Sequence, residues 1–521
     1  MTEEKSFYIT TPIYYVNDRP HLGHAYTSVS CDVLARFKRL DGFKVKFLTG
    51  TDEHGLKVYQ TAQEKGVTAQ EYTDQISETF RDMGTLMGLS NDDFIRTTQD
   101  HHKKAAQAIW QRMEAAGDIY LDKYSGWYSV RDEAYYNEDE LTEAPDGTKL
   151  SPFGAPCEWT EEESYFFKLS EWGDRLLEFY EKKPQFMMPA GRANEVKNFI
   201  KSGLRDLSIS RSTFDWGVKV PGNDKHVMYV WVDALTNYIS ALGFPDVEGD
   251  EFETFWPADV HMVGKDILRF HALYWPAFLM SAGIEPPKRV FAHGWWTVEG
   301  QKMSKSLGNV IAPADLVANY GLDQVRYFIL REVPFGKDGD FSHDAMVGRM
   351  NSDLANNFGN LAQRSLSMIQ KNCDGKIPKY GDFTETDQRM LKISGQELLA
   401  QTREQFDAQA FNKAFEAIWF VLGEANAYVD EMAPWTLKKT DPERMATVLY
   451  VVAEVVRNVA LLLQPVMPAS CAKLLDLLAV VEGERKFDRI GDVGNLVVGT
   501  ELPKPQGVFP RYVAPESEAA E

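Results

Sequence analysis

The 521 residues include only four cysteines (Cys31, Cys157, Cys373 and Cys471), and no two of them form a CxxC pair. That excludes a disulfide framework and a cysteine-knuckle zinc site, and it leaves the four as small buried hydrophobes. No run of eighteen uninterrupted apolar residues occurs, so no membrane span is expected. The opening MTEEKSFYIT is acidic where a secretory leader would be basic and then apolar, which points to a cytoplasmic location. Positive charge is scarce: 56 Lys and Arg face 77 Asp and Glu, a formal net charge of −21. Non-specific binding to DNA is thereby disfavoured, although a partner held through a few local cationic patches is not. Glycine-rich phosphate loops are missing too. No two glycines stand two apart and no GK[ST] occurs, so neither GxGxxG nor a P-loop is present.

What is present is an alternation of strands and helices, in a chain long enough for two or three domains. FYITTPIYYV reads as a strand and AYTSVSCDVLARFKRLDG as a helix ending near Gly42. KVKFLTG is a second strand, running into TDEHG. Such a β-α-β run predicts a parallel sheet. Helices are expected over 59–88 and 100–117. From 118 to 220 the texture changes to short aromatic strands and turns, then a helix through FKLSEWGDRLLEFYEKKP, as in an insertion. The α/β pattern returns over 221–340. Beyond 340, helical segments at 342–371, 385–405, 409–431 and 442–465 predict an all-α bundle reaching to about 480. The last stretch, 481–521, closes on a Pro-rich and then acidic arm with a disordered tip.

Two polar segments stand out against this pattern. HLGH, residues 21–24, lies where a parallel strand turns into a helix, the usual place for an anionic ligand. His21 and His24 offer ring N–H donors to phosphate oxygens, and Gly23 allows a flat base to approach. QKMSKSLGN, about 280 residues later, is a polar loop with Lys302 and Lys305, whose ammonium groups suit charge growing on a triphosphate. Each segment alone is commonplace; the pair is specific.

Together with TTPIYYVNDRPHLGH, FLTGTDEHG, YVWVDALTNYI, VGKDILRFHALYWPA and HGWWTVEGQKMSKSLGN, they resemble the signatures of class I aminoacyl-tRNA synthetases, and within them the methionyl-tRNA synthetases. The resemblance covers most of 6–480. It implies a Rossmann-like catalytic domain in two halves, 1–117 and 221–340, around a connective insertion, 118–220, then an α-helical anticodon-binding domain over 341–480. The implied activity is that of a methionine–tRNA ligase, which forms methionyl-adenylate and pyrophosphate from methionine and ATP and then charges tRNA(Met), initiator and elongator. Magnesium would arrive with ATP.

The resemblance also carries residue roles. His21, His24 and Gly23 hold the nucleotide. Lys305 supplies the main transition-state cation, with Lys302 and Ser304 shaping the loop. Asp266 contacts the ribose or the closing loop, and His293, Gly294 and Trp295 border the adenine. Asp52 pairs with the substrate's ammonium. The methionine pocket falls on Ile13, Tyr15, Trp231, Ala234, Leu235, Tyr238, Phe270, His271 and Trp275. Trp231, Ala234, Leu235 and Tyr238 stand at i, i+3, i+4 and i+7, one face of a helix, and a polarizable thioether suits aromatic edges. Asn356, Asn360 and Arg364 recur every four positions and, with Trp435 beside Pro434, are where the family reads the anticodon.

The pattern is not complete. Relatives with zinc knuckles carry them in the insertion, where this chain has only Cys157 and the stretch YSVRDEAYYNEDEL. No zinc is therefore expected, and aromatic packing should hold that domain. No appended dimerisation module follows the bundle, so a monomer is expected. Other classes remain in view: a short class I synthetase for another amino acid, a nucleotidylyltransferase sharing HxGH, or a catalytically silent tRNA-binding paralogue. The leucine, isoleucine and valine enzymes need an editing insertion that 118–220 is too short to supply. A nucleotidylyltransferase would have no use for the bundle.

Overall fold

The computed structural model describes residues 5–132, 134–303, 308–491 and 495–514. Seven strands form its central sheet: β1 (Ser6–Thr10), β2 (Tyr14–Tyr15), β3 (Lys44–Asp52), β4 (Asp93–Arg96), β5 (Met187–Met188), β6 (Val260–Gly264) and β7 (Val290–His293). Every pairing is parallel, in the order β5-β7-β6-β1-β3, with β2 and β4 both hydrogen-bonded to β3. The C-terminal two-thirds of β3 and nearly all of β1 are buried, as expected of strands covered on both faces. Helix α1 (Leu22–Leu40) connects β2 to β3 and ends just before Gly42, whose φ of +86° gives the chain its turn.

Some elements differ from their sequence-based outline. The helix expected over 59–88 is two helices, Leu56–Glu64 and Ala69–Leu86. Gly66, at φ +69°, breaks the first, and Thr68 with Glu71 forms a capping box that starts the second. β4 went unread because only Ile95 of its four residues is fully buried. Helix α2 (Asp100–Ala115) follows it.

The insertion is a four-stranded antiparallel sheet dominated by the long pair Ile119–Ser129 and Glu158–Phe167. Helices Gly173–Lys182 and Ala190–Lys201 follow it, and between them β5 returns to the edge of the central sheet. At its tip, Trp127 meets Trp159 edge-to-face at 5.5 Å, and Cys157 packs with Tyr136, Trp127 and Leu141. Among the described residues, no group of three or more His, Cys, Asp or Glu side chains could hold a metal ion. Helix α3 (Val230–Leu235) brings the chain back to the central sheet, two short helices (Asn237–Ser240 and Asp250–Phe255) ahead of β6.

Beyond a short strand at Gly339–Phe341, every regular element longer than a single bridge among the described residues is a helix. Pro442–Leu463 is apolar enough to cross a membrane by length and composition, yet 94% of its most apolar window is buried. It is the central helix of the bundle, packed by Asn360–Asn372, Glu385–Ser394, Phe411–Met432, Pro434–Thr440 and Pro468–Leu477. Its two buried charges, Glu454 and Arg457, pair at 2.9 Å. The C-terminal arm folds back on the bundle through Ile377 N to Thr500 O and Leu502 N to Gly375 O, each 2.8 Å.

Candidate functional site

The HLGH turn builds its own geometry. His21 is the N-cap of α1: its Nδ1 accepts from the Gly23 amide at 3.0 Å, while His24 Nδ1 accepts from the His21 amide at 3.1 Å. Two of the orphan donors at this helix start are thus satisfied reciprocally. Because each Nδ1 is an acceptor, the proton of each neutral ring sits on Nε2. The rings lie 3.9 Å apart. Burial, then the adjacent His21, holds the His24 pKa well below the usual histidine range, so the ring is neutral near pH 7. Gly23 has a local cause as well: a Cβ there would stand 2.9 Å from His21 Cε1.

The chain just beyond the second signature meets the first. The Leu22 amide, at the first residue of α1, donates to the Ile311 carbonyl at 3.1 Å, just beyond QKMSKSLGN. Lys302 closes a hairpin with Trp296–Val298 whose turn, Glu299-Gly300, has positive φ at both residues. Ser304 and Lys305 lie outside the described residues. The ring of Trp295 is flanked by Lys265 Nζ at 4.2 Å and Lys302 Nζ at 4.8 Å, and its indole N–H donates to Asp266 at 3.0 Å. The Thr27 hydroxyl of α1 lies 2.7 Å from His293 Nε2 at the end of β7. Gly294 is sterically obligatory, since a Cβ would fall 2.2 Å from the Lys337 carbonyl oxygen.

A few residues away, the aromatic candidates form one cluster. Trp231 stacks on Phe270 with centroids 3.8 Å apart and planes 9° from parallel. His271 Nδ1 lies 3.0 Å from the Ile267 carbonyl and so donates there, leaving Nε2 to accept the Tyr238 hydroxyl at 2.6 Å. Burial lowers the His271 pKa to about 4, which keeps this tautomer neutral. Tyr238 also stacks on His261 at 4.0 Å, and Trp275 donates to His261 at 3.4 Å. Ala234 and Leu235 are buried beside them, and Ile13 packs against the same core. Phe270–Tyr274 is a π-helical turn, in which Trp275 N bonds Phe270 O five residues back. Tyr15 on β2 is in register with Asp52 at the end of β3, which sets both at the C-terminal edge of the sheet.

The amide and guanidinium stripe lies on the bundle. Asn356 sits in a π-helical segment, Arg349–Gly359, and Asn360 and Arg364 on the α-helix that continues it. All three are exposed. A Cβ at Gly359 would meet the Leu354 carbonyl at 2.9 Å, so glycine stands where the wide turn closes. The Arg364 guanidinium is 5.6 Å from the Trp435 ring centroid, and that tryptophan is 46% exposed. Pro434 is buried at the first position of its helix, behind the left-handed Ala433. Arg511 was missed by sequence reasoning: it reaches from the C-terminal arm to donate to Asn356 Oδ1 at 2.7 Å. No local motif marks it.

The family model for class I tRNA synthetases (M) matches residues 7–366, and that for the anticodon binding domain of methionyl tRNA ligase matches 377–520. The chain is 60% identical to the methionine–tRNA ligase of Mesorhizobium japonicum over 98% of its own length and 99% of the relative's. It is 57% identical to that of Brucella suis, over 99% and 100%. Among solved structures it resembles Mycobacterium tuberculosis methionyl-tRNA synthetase in complex with methionyl-adenylate, at TM-score 0.95 and 54% identity over 97% of this chain and all of that one. The apo form of the same enzyme gives TM-score 0.90 at 51% identity, covering 98% and 99%. By sequence over its whole length, and by the shape of its backbone, this chain belongs to the methionyl-tRNA synthetases of class I.

Proposed function

We propose that the two signature segments hold ATP while the aromatic cluster holds methionine, so that the amino-acid carboxylate attacks the α-phosphorus and pyrophosphate leaves. The Leu22–Ile311 hydrogen bond carries this reading, because it joins the start of α1 to the strand of chain behind the lysine loop. The adenylate bound to the Mycobacterium tuberculosis enzyme supports the same intermediate here. Little covalent work is needed in such a step; positioning and charge do most of it.

His21 and His24 donate Nε2–H to phosphate oxygens, Lys305 supplies the cation as charge grows, and Lys302 and Ser304 shape the loop. Gly23, Asp266, His293, Gly294 and Trp295 border the nucleoside. Asp52 faces the ammonium group. Ile13, Tyr15, Trp231, Ala234, Leu235, Tyr238, Phe270, His271 and Trp275 enclose the thioether. Magnesium enters with ATP, held by phosphate oxygens and water. Asn356, Asn360, Arg364, Pro434 and Trp435 read the anticodon of tRNA(Met), and the chain works as a cytoplasmic monomer.

The test is ATP–pyrophosphate exchange across the amino acids. Methionine should support exchange, and leucine, isoleucine, valine and cysteine should not. Exchange with any of those four but not methionine, or with none, overturns the assignment.

A further inference from the structure

Three buried polar residues near the methionine cluster have no part in the roles above. His54 lies two residues beyond Asp52, His102 is on α2 and Asp233 is on α3; none is more than 3% exposed. His54 Nδ1 is 2.6 Å from one Asp233 oxygen and His102 Nε2 is 2.7 Å from the other. An ionised carboxylate only accepts, so both rings donate. The second nitrogen of His102, Nδ1, lies 2.8 Å from the Ser240 hydroxyl. The edge of Trp216 braces the His54 ring at 5.3 Å, and its indole N–H donates to the Glu53 carbonyl at 2.6 Å.

A lone carboxylate at such depth would be costly, and charge-assisted hydrogen bonds offset that cost. Burial pushes the Asp233 pKa up, but the paired histidines outweigh it and hold it down to about 2. The consequence is mechanical. Trp231 and Ala234 flank Asp233 on the same short helix, and His54 belongs to the turn that carries Asp52. One carboxylate therefore ties the wall of the aromatic cluster to the strand end beside it.

We propose that Asp233 is a positioning residue for methionine: clasped by His54 and His102, it sets the spacing between the thioether wall at Trp231 and Ala234 and the ammonium-binding carboxylate of Asp52. This rests on the methionine-site reading above, and it adds a residue that touches no substrate.

The experiment measures KM for methionine, KM for ATP and kcat by pyrophosphate exchange in D233N, H102A and H102Q, with the unaltered chain as control. Gln places an amide N–H near the position of Nε2, so H102Q retains the donor that H102A removes. D233N and H102A should raise KM for methionine at least tenfold, with KM for ATP and kcat within twofold of the control. H102Q should return KM for methionine to within threefold. Methionine binding followed by tryptophan fluorescence in D52A, D233N and the double variant supplies the second readout. Coupled positions give a double-variant loss clearly smaller than the product of the single losses. Unchanged KM for methionine in D233N and H102A, or parallel rises in both KM values, would sink the proposal, as would additive effects with Asp52. A control chain that fails to use methionine at all would instead defeat the underlying site reading.

Discussion

At the scale of single residues, the site is governed by imidazoles kept neutral and given fixed tautomers by their partners. His271 shows the consequence for pH. Its pKa is about 4 in the folded chain, against about 6.5 for an unperturbed histidine. As pH falls below that ordinary value the unfolded chain takes up a proton that the native ring refuses. The unfolded state therefore binds more protons, and stability drops as pH drops, until the native ring also titrates. No such penalty exists above the ordinary value. The full difference is worth roughly 3 kcal/mol, accruing at about 1.4 kcal/mol per pH unit. Urea unfolding of H271Q at pH 6.5 and pH 5 should show a shallower pH slope than the unaltered chain, by about 1 kcal/mol per pH unit. Equal slopes would mean that the ring titrates normally when folded. The lysine loop yields a separate expectation. If Lys305 carries transition-state charge, K305A should slow adenylate formation by more than roughly tenfold, about 1.4 kcal/mol, in a single-turnover assay. A smaller loss removes Lys305 from the chemistry.

At the scale of elements, the sequence disclosed most where chemistry is written in contiguous residues. HLGH and TDEHG were readable as turns at strand ends, and the long α1 and the bundle helices followed from their apolar period. Less was readable where regularity fails. The turns at Phe270–Tyr274 and Arg349–Gly359 are π-helical, and a pattern of 3.6 residues per turn cannot reveal them. β4 is too short to show an alternation, and β5 is two residues inside an insertion. Asp233 was passed over because it stands within an aromatic stripe, although a carboxylate on a buried helix face is itself a signal. Arg511 and Asn356 are 155 positions apart, and nothing local connects them. The exposed Trp435 of the helix Pro434–Thr440 gives a test at this scale. Stacking an unpaired base on an aromatic ring is worth about 1–3 kcal/mol. W435A should therefore raise KM for tRNA(Met) in the charging reaction by roughly 5- to 150-fold, with pyrophosphate exchange unchanged. Equal loss in both assays would place Trp435 in the folding of the chain rather than in tRNA recognition.

At the scale of the whole molecule, a fully buried arginine is one of several polar links between the sheet half and the bundle, beside Lys38–Asp407, Arg403–Asp41 and Asp323–Ser470. Arg326 is fully buried; its Nη2 donates to Asp32 of α1 at 2.6 Å and to Pro465 O at 2.8 Å, and its Nε donates to Val466 O at 2.9 Å. Nη1 takes the Met87 carbonyl at 2.9 Å, at the end of the helix before β4. Asp32 is equally buried and also accepts from Arg36 and from the Ser90 amide and hydroxyl. A single guanidinium thus draws together α1, the helix Ala69–Leu86 and the turn between the last two long helices of the bundle. Removing one partner of a buried pair costs about 3–5 kcal/mol, because the other partner and the carbonyls lose their compensation. R326M should therefore lower the urea-unfolding free energy by about that amount. Because the pair is the most deeply buried ion pair between the two halves of one continuous core, the loss should also separate unfolding of the sheet from that of the bundle, giving two transitions where the unaltered chain shows one. In D32N/R326M the uncompensated carboxylate is gone, and a large part of the stability should return, since an ion pair replaced by well-packed neutral groups is often close to neutral. A loss below about 1 kcal/mol in R326M, or a double variant worse than either single one, would show that the Asp32–Arg326 pair does not unite the two halves. The HLGH turn opens the same helix ten residues before Asp32, about 15 Å along a rigid rod, so the joint that stabilises the molecule also fixes where the nucleotide-facing end of α1 stands relative to the bundle.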